Sequence, residues 1–214
     1  MLFSGTDMTK NVKDEEFAAY LSDNGAKFGY GSLVDDRDGE IYSTVKIGNQ
    51  IWMAENLRYV TKGGVADDDK DSFVYGEVEA NVGKFGRLYT WNAAMKIAPE
   101  GWHLPSEEEW HELCEYCRSL QEGLPGTMLK SAEYWDECLG SVVGKDSVGF
   151  ASVPSGSRYS MGYFYDLNKS AYYWTSTAVG DEYARYRSIS FRGGKIGVDY
   201  TYKSDALSIR CVKD

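Results

Sequence analysis

The chain has 214 residues, room for one good core or at most two small domains. Its 23 Gly and 17 Tyr beside only 4 Pro point to turn-rich β structure rather than a helical bundle. A net charge of −10 repels nucleic acid and anionic lipid, and no apolar run approaches the roughly 20 residues of a membrane helix, so neither nucleic-acid binding nor membrane insertion is expected.

Residues 1–34 read as a lead-in ahead of a main domain at 35–214. The opening lacks a cationic region followed by an apolar stretch, so no signal peptide is visible. Asp14 to Leu21 reads as one short amphipathic helix with Phe17, Tyr20 and Leu21 on one side, stopped by Asn24-Gly25; it fits either a docked terminal helix or an assembly element. Asp38-Gly39 signals a turn whose aspartates lack the third carboxylate and the distal Glu of a calcium loop. Ile41 to Leu57 reads as two strands around Gly48-Asn49. Residues 61–85, with the acidic run that starts at Asp67, read as a polar excursion, and Leu88 to Met95 as a short helix.

Ser106 followed three residues later by Glu109 is the spacing of a capping box. Trp110, Leu113, Cys114, Cys117 and Leu120 then fall on one face of a helix, with Gly123 as its stop. From Ser147 onward short strands and turns are expected. These comprise a loop at 155–165, a strand at Tyr172 to Thr177, and an alternation of Ile189 and Phe191 with Ser188, Ser190 and Arg192. A Gly193-Gly194 turn and a last strand at Leu207 to Val212 follow.

Cys114 and Cys117 form a C-x-x-C without a second pair at zinc spacing, and His103 and His111 are the only histidines. With both cysteines on the buried stripe of the helix, packing is expected of them rather than redox chemistry, and neither a metal nor a cofactor is expected. Charge is uneven: residues 183–214 carry seven basic side chains against three acidic ones. That end reads either as a localised contact surface or as scattered solvated charge.

Several multi-residue motifs, in order, carry a resemblance. They are Asp38-Gly39, Val45-Lys-Ile-Gly-Asn-Gln-Ile-Trp-Met-Ala-Glu-Asn-Leu57, Gly86-Arg-Leu-Tyr-Thr-Trp91 and Gly101-Trp-His-Leu-Pro-Ser-Glu-Glu-Glu-Trp110. Lys130, Gly149-Phe150, Pro154-Ser-Gly156, Tyr173-Trp-Thr-Ser-Thr177 and Ser208-Ile-Arg-Cys-Val-Lys-Asp214 continue the series. Over about residues 35–214 the chain resembles the Fibrobacter succinogenes major paralogous domain family. The resemblance implies an α+β, C-type-lectin-like fold: two main helices packed on a twisted, mostly antiparallel sheet, with long irregular loops. It also implies a surface or exported protein of gut and rumen bacteria, and no established enzymatic activity. Family members often carry a Cys before the Pro-x-Gly-Trp motif, apparently paired with the C-terminal Cys; here that place is Ala98, so Cys211 lacks that partner. A bridge from Cys211 to Cys114, Cys117 or Cys138 stays open, as does a reduced, intracellular or phage-borne protein.

Function is read first as non-enzymatic ligand binding. Nine of the 17 tyrosines lie in residues 155–214, and Tyr offers contact area and a hydroxyl with few rotors to freeze. Roughly half are expected to brace the fold, Tyr172 and Tyr173 beside Trp174 foremost. The contact residues chosen are Tyr183, Tyr186, Ser188, Ser190, Arg192, Asp199, Tyr200 and Tyr202. The expected partner is a protein or glycan on another cell or surface, with the chain at the cell surface, outside the cell or on a phage particle; homo-oligomer formation is open. The resemblance extends to variable proteins of diversity-generating retroelements, whose diversified positions concentrate near the C-terminus. Calcium-dependent sugar binding would require Glu-Pro-Asn or Gln-Pro-Asp with Trp-Asn-Asp, none of which is present, so any carbohydrate reading is calcium-independent. A formylglycine-generating type of oxidase would need a reactive cysteine pair or a histidine triad, and no catalytic residue is nominated.

Overall fold

A computed structural model describes residues 29–61 and 71–214. The helix expected at Asp14 to Leu21, and all but the last residue of the acidic run from Asp67, lie outside the described residues. The strands are β1 (Tyr30–Val34), β2 (Ile41–Ile47), β3 (Gln50–Met53), β4 (Ser72–Phe73), β5 (Leu88–Thr90), β6 (Trp102–His103) and β7 (Ser155–Arg158). They continue with β8 (Phe164–Leu167), β9 (Ser170–Val179), β10 (Tyr183–Ser190), β11 (Ile196–Tyr202), β12 (Ala206–Leu207) and β13 (Val212–Lys213). The helices are α1 (Val82–Phe85), α2 (Trp91–Ala94), α3 (Glu107–Ser119) and α4 (Pro125–Leu129).

The architecture is α+β. One sheet runs β1-β2-β3-β13-β6; the other runs β11-β10-β9-β7-β12-β5-β4, with β8 paired to β7. Pairing between strands is antiparallel except for β7 with β9. Among the described residues only α3 exceeds two turns, so the two main helices expected reduce to one. β1 pairs with β2 from Tyr30↔Val45 to Val34↔Ile41, so the sheet takes in five residues assigned to the lead-in. The helix expected at Leu88 to Met95 is strand β5 followed by the single turn α2, because Leu88 and Tyr89 are drawn into the sheet between β12 and β4. The loop at 155–165 is the β7–β8 hairpin.

The capping box forms: Glu109 N donates to Ser106 Oγ (3.2 Å) and Ser106 N to Glu109 Oε2 (2.8 Å). Trp110, Leu113, Cys114 and Cys117 are buried along α3. The helix stops at Ser119, ahead of Gly123, because Gln121 turns left-handed at φ 55°.

β9 has both faces buried. Consecutive residues alternate faces, so Tyr173 enters one core cluster and Trp174 the other. The first cluster is a stack of rings: Trp52 and Trp110 lie 5.1 Å apart, and Phe150 and Tyr173 close the group at 5.6–6.0 Å. The second gathers Tyr42, Leu57, Tyr89, Trp174, Ile209 and Cys211, with Ala98 against its edge. All four cysteines are free, so none of the bridges left open to Cys211 forms.

The last strand expected at Leu207 to Val212 divides into β12 and β13, one in each sheet. The residues between them stitch the sheets together: Leu57 N donates to Ile209 O (3.0 Å) and Met53 N to Cys211 O (3.0 Å). Within this crossing lies Arg210, 1% exposed. Its Nε donates to Asn56 Oδ1 (2.8 Å), Nη1 to Phe150 O and Nη2 to Ala151 O (2.7 Å). The guanidinium stacks over Phe150 at 4.5 Å and Tyr173 at 5.6 Å. Burial lowers its pKa from the ordinary arginine value, yet a guanidinium keeps its charge in proteins. Lysine in its place has one ammonium and no planar fork. Arg210→Lys therefore leaves buried carbonyls without donors and is expected to destabilise by about 2–5 kcal/mol, measured by urea unfolding.

Candidate functional site

The eight contact residues chosen from sequence do not share one surface. Over β10 and β11 the register is unbroken, from Tyr183↔Tyr202 to Ile189↔Ile196, and cross-strand partners point to the same side. Tyr183, Tyr200 and Tyr202 therefore stand on one face, with Tyr183 4.5 Å from Tyr202 and 5.6 Å from Tyr200. Tyr186, Ser188, Ser190 and Asp199 stand on the other. Arg192 lies in the turn beyond β10, its guanidinium 5.0 Å over the Phe191 ring. The sequence shows all eight as a cluster because adjacency in the chain hides the two-residue period of a strand.

The face of Tyr186 carries a row across four strands. In β8, Asp166 Oδ2 accepts from Tyr172 OH at 2.7 Å. In β9, the Tyr172 ring meets Tyr186 of β10 edge-on at 5.6 Å. Tyr186 in turn sits opposite Asp199 of β11. Asp199 Oδ1 accepts from Tyr200 N at 2.9 Å, which fixes the carboxylate. Burial, then the hydrogen bond to Asp166, raises the Tyr172 hydroxyl; burial, then Asp199 and Tyr159, pushes Tyr186 up to about 12. Both hydroxyls stay neutral donors at physiological pH.

Beside the row stands the tip of the β7–β8 hairpin. Tyr159, Met161, Tyr163 and Tyr165 are exposed there, and Tyr159 stacks 4.6 Å from Tyr165. Asp205 ties the tip to β11: its Oδ1 accepts from Ser160 N (2.9 Å) and its Oδ2 from Thr201 Oγ1 (2.5 Å). The sequence reading passed over Asp166 and this tip as contact residues, and assigned Tyr172 to the core. Tyr172 is partly buried and, like Tyr186, packs against the second core cluster, so it serves both core and surface. The signal that could have found the tip is the run Tyr159 to Tyr165, three tyrosines around the Gly162 turn with Phe164 between the last two as the anchor. Asp166 carries its own mark in the backbone, a left-handed φ of 62°.

Three of the seven basic side chains of residues 183–214 are engaged within the fold rather than presented as a basic surface. Arg187 is buried and grips Glu107 of α3 through Nε (3.2 Å) and Nη2 (2.9 Å). Arg210 is the internal hub already described. Lys203 Nζ donates to Gly180 O (3.0 Å) and Asp181 O (2.9 Å) and covers Trp91 at 4.6 Å, closing the β9–β10 turn.

The other groups with chemical potential are engaged structurally. His103 Nδ1 lies 2.6 Å from Asp214 Oδ1 and its Nε2 2.7 Å from Glu109 Oε1, so neither nitrogen is open to a substrate. Partial burial pulls the imidazole pKa down, but the two carboxylate hydrogen bonds outweigh it and the net shift is upward. Burial raises the Cys114 thiol and pushes Cys117 and Cys211 up to about 12, the opposite of an activated thiolate. Lys130 is buried with Nζ donating to Val142 O (2.9 Å) 5.1 Å over Trp135, and burial lowers it to about 8. Two open clefts of about 310 Å³ each occur elsewhere, one lined by Arg37, Tyr59 and Asn92, the other by Gln50, Glu109 and Asp214.

A family model, the Fibrobacter succinogenes major domain, matches residues 45–213. No curated protein and no solved structure matches the chain.

Two outcomes follow from this chemistry. In the native protein a thiol reagent should modify Cys138 rapidly, since it alone of the four is exposed, while Cys114, Cys117 and Cys211 react only on unfolding. Counting released chromophore before and after denaturant checks this. For His103 the folded pKa lies above the unfolded value of about 6.5, so its stabilisation is complete below that pH and fades as pH rises through the folded value. The stability difference between wild type and His103→Gln should therefore be larger at pH 6 than at pH 9, measured by chemical unfolding at each.

Proposed function

The chain belongs to the Fibrobacter succinogenes major domain family, and we propose that it is a non-enzymatic ligand-binding module with a C-type-lectin-like fold. The observation that carries the binding reading is the row Asp166–Tyr172–Tyr186–Asp199. Rings and carboxylates are held on the paired strands β9, β10 and β11 and on β8, which pairs with β7, and their polar groups remain partly accessible. Such a surface is already organised before a ligand arrives, so little side-chain entropy is lost on contact. The exposed hairpin tip extends it at one side. The lectin-like reading is supported by β1 and β13 meeting in one sheet, which brings the first and last described strands together, and by the long irregular segment between α4 and β7. The non-enzymatic reading is supported by the engaged state of His103 and the buried cysteines.

Binding by the opposite face, at Tyr183, Tyr200 and Tyr202, is the competing arrangement. A screen of immobilised glycans and peptides, repeated with variants, separates the two. Tyr186→Ala should weaken whatever ligand the screen finds by about thirtyfold, the scale of a ring at the centre of a contact. Tyr200→Ala should leave it within about twofold, as a rim position does. Loss with Tyr200→Ala and none with Tyr186→Ala would move the site to the other face.

A further inference from the structure

The chemistry of the row selects among ligands, and this step rests on the row being the contact surface. We propose that it receives a cationic side chain, Lys or Arg, of a peptide or protein partner. Three observations support this. First, the row ends in carboxylates on both sides of a pair of ring faces and edges. Among the described residues each carboxylate has one oxygen held internally and the other without a hydrogen-bond partner: Asp166 Oδ2 takes Tyr172 OH, and Asp199 Oδ1 takes Tyr200 N. A carboxylate only accepts hydrogen bonds, and an aromatic face attracts a cation. An ammonium or guanidinium meets both demands at once.

Second, among the described residues no basic side chain forms an ion pair with Asp166 or Asp199. Strand alternation sends Arg185 and Arg187 to the other face, and Arg187 is closed off by Glu107. Arg158 lies 3.9 Å over Phe73, and Arg192 lies over Phe191. Lys169 sits in the β8–β9 turn, where its N–H donates to Asp166 O (3.0 Å), and no ion pair joins its ammonium to Asp166 among the described residues. Third, the whole chain carries a net charge of −10, a field that draws a basic partner in and repels an acidic one.

The probes are tetralysine amide, tetraarginine amide, tetraglutamate and the neutral oligosaccharide maltotetraose, titrated into the full chain by calorimetry up to millimolar concentration. Both cationic peptides should bind, with affinity falling as salt is raised from about 0.05 to about 0.5 M; the other two should not bind. Asp166→Asn and Asp199→Asn should each weaken the cationic peptides about two- to fivefold. Asparagine keeps the hydrogen-bond acceptor in both places and tolerates the left-handed backbone at Asp166, so these variants retain the fold; circular dichroism checks this. Tyr186→Ala should weaken the peptides further, and Glu100→Gln, an exposed carboxylate away from the row, should change nothing.

Three results would overturn the proposal. Absence of binding by both cationic peptides is one. Cationic binding insensitive to Asp199→Asn, Asp166→Asn and Tyr186→Ala is the second, since it reports only attraction to the acidic body. Maltotetraose binding that is lost in Tyr186→Ala is the third; it would keep the row as the contact surface and replace the ligand class with carbohydrate.

Discussion

Arg210 is the constraint on which the rest of this molecule hangs. A buried guanidinium is tolerable only where every face of it meets an acceptor or a ring. Here Asn56 and the carbonyls of Phe150 and Ala151 take its N–H groups, and the rings of Phe150 and Tyr173, set edge to face, lie against it. Those acceptors come from two separate stretches of chain, so satisfying one charge ties the segment after β3 and the segment before β7 to the crossing between the two sheets. The net reaches further: Asn56 Nδ2 donates to Phe85 O (2.8 Å), and Ala151, left-handed at φ 50°, is held from its other side by Asp146 Oδ1 accepting from its N–H (2.7 Å). A left-handed alanine costs about 1–2 kcal/mol, and hydrogen bonds on both sides offset it.

The consequence for function is positional. The crossing held by Arg210 lies beside β9, which carries Tyr173 inward to the guanidinium and Trp174 into the opposite core. With both of those faces filled, β9 is anchored in the core, and Tyr172, on the same face as Trp174, stands at the edge of the second cluster. Arg187 performs a related task one strand on, binding β10 to the start of α3 through Glu107. Gly126 of α4 and the Gly194 carbonyl complete the frame: Gly126 N donates to Gly194 O at 2.8 Å, and a Cβ at Gly126 would stand 2.9 Å from that same oxygen. The β10–β11 turn is therefore clamped at its base. Three basic residues of the C-terminal segment, Arg187, Lys203 and Arg210, are thus engaged in the frame, and the row itself, its rings partly buried, is acidic and aromatic.

Much of this was legible in the amino-acid order. The capping box at Ser106 and Glu109, the helical stripe from Trp110 to Cys117, the Gly48-Asn49 hairpin and the Gly193-Gly194 turn all depend on residues a few positions apart, where side-chain spacing and backbone preference act directly. The family was legible for the same reason, through contiguous motifs. The concentration of tyrosines after residue 155 also marked the third of the chain in which the aromatic row and the hairpin tip lie. What sequence could not give was the partition of that region. Which face a strand residue takes, and whether an arginine is solvated or closed against a glutamate 80 positions away, are decided by pairing partners remote in the chain. Local order therefore determined the elements and their caps. Tertiary structure alone decided that Tyr186 and Asp199 join Tyr172 and Asp166 while Tyr183, Tyr200 and Tyr202 face away, because a β-strand alternates its side chains and only the assembled sheet says which side is buried.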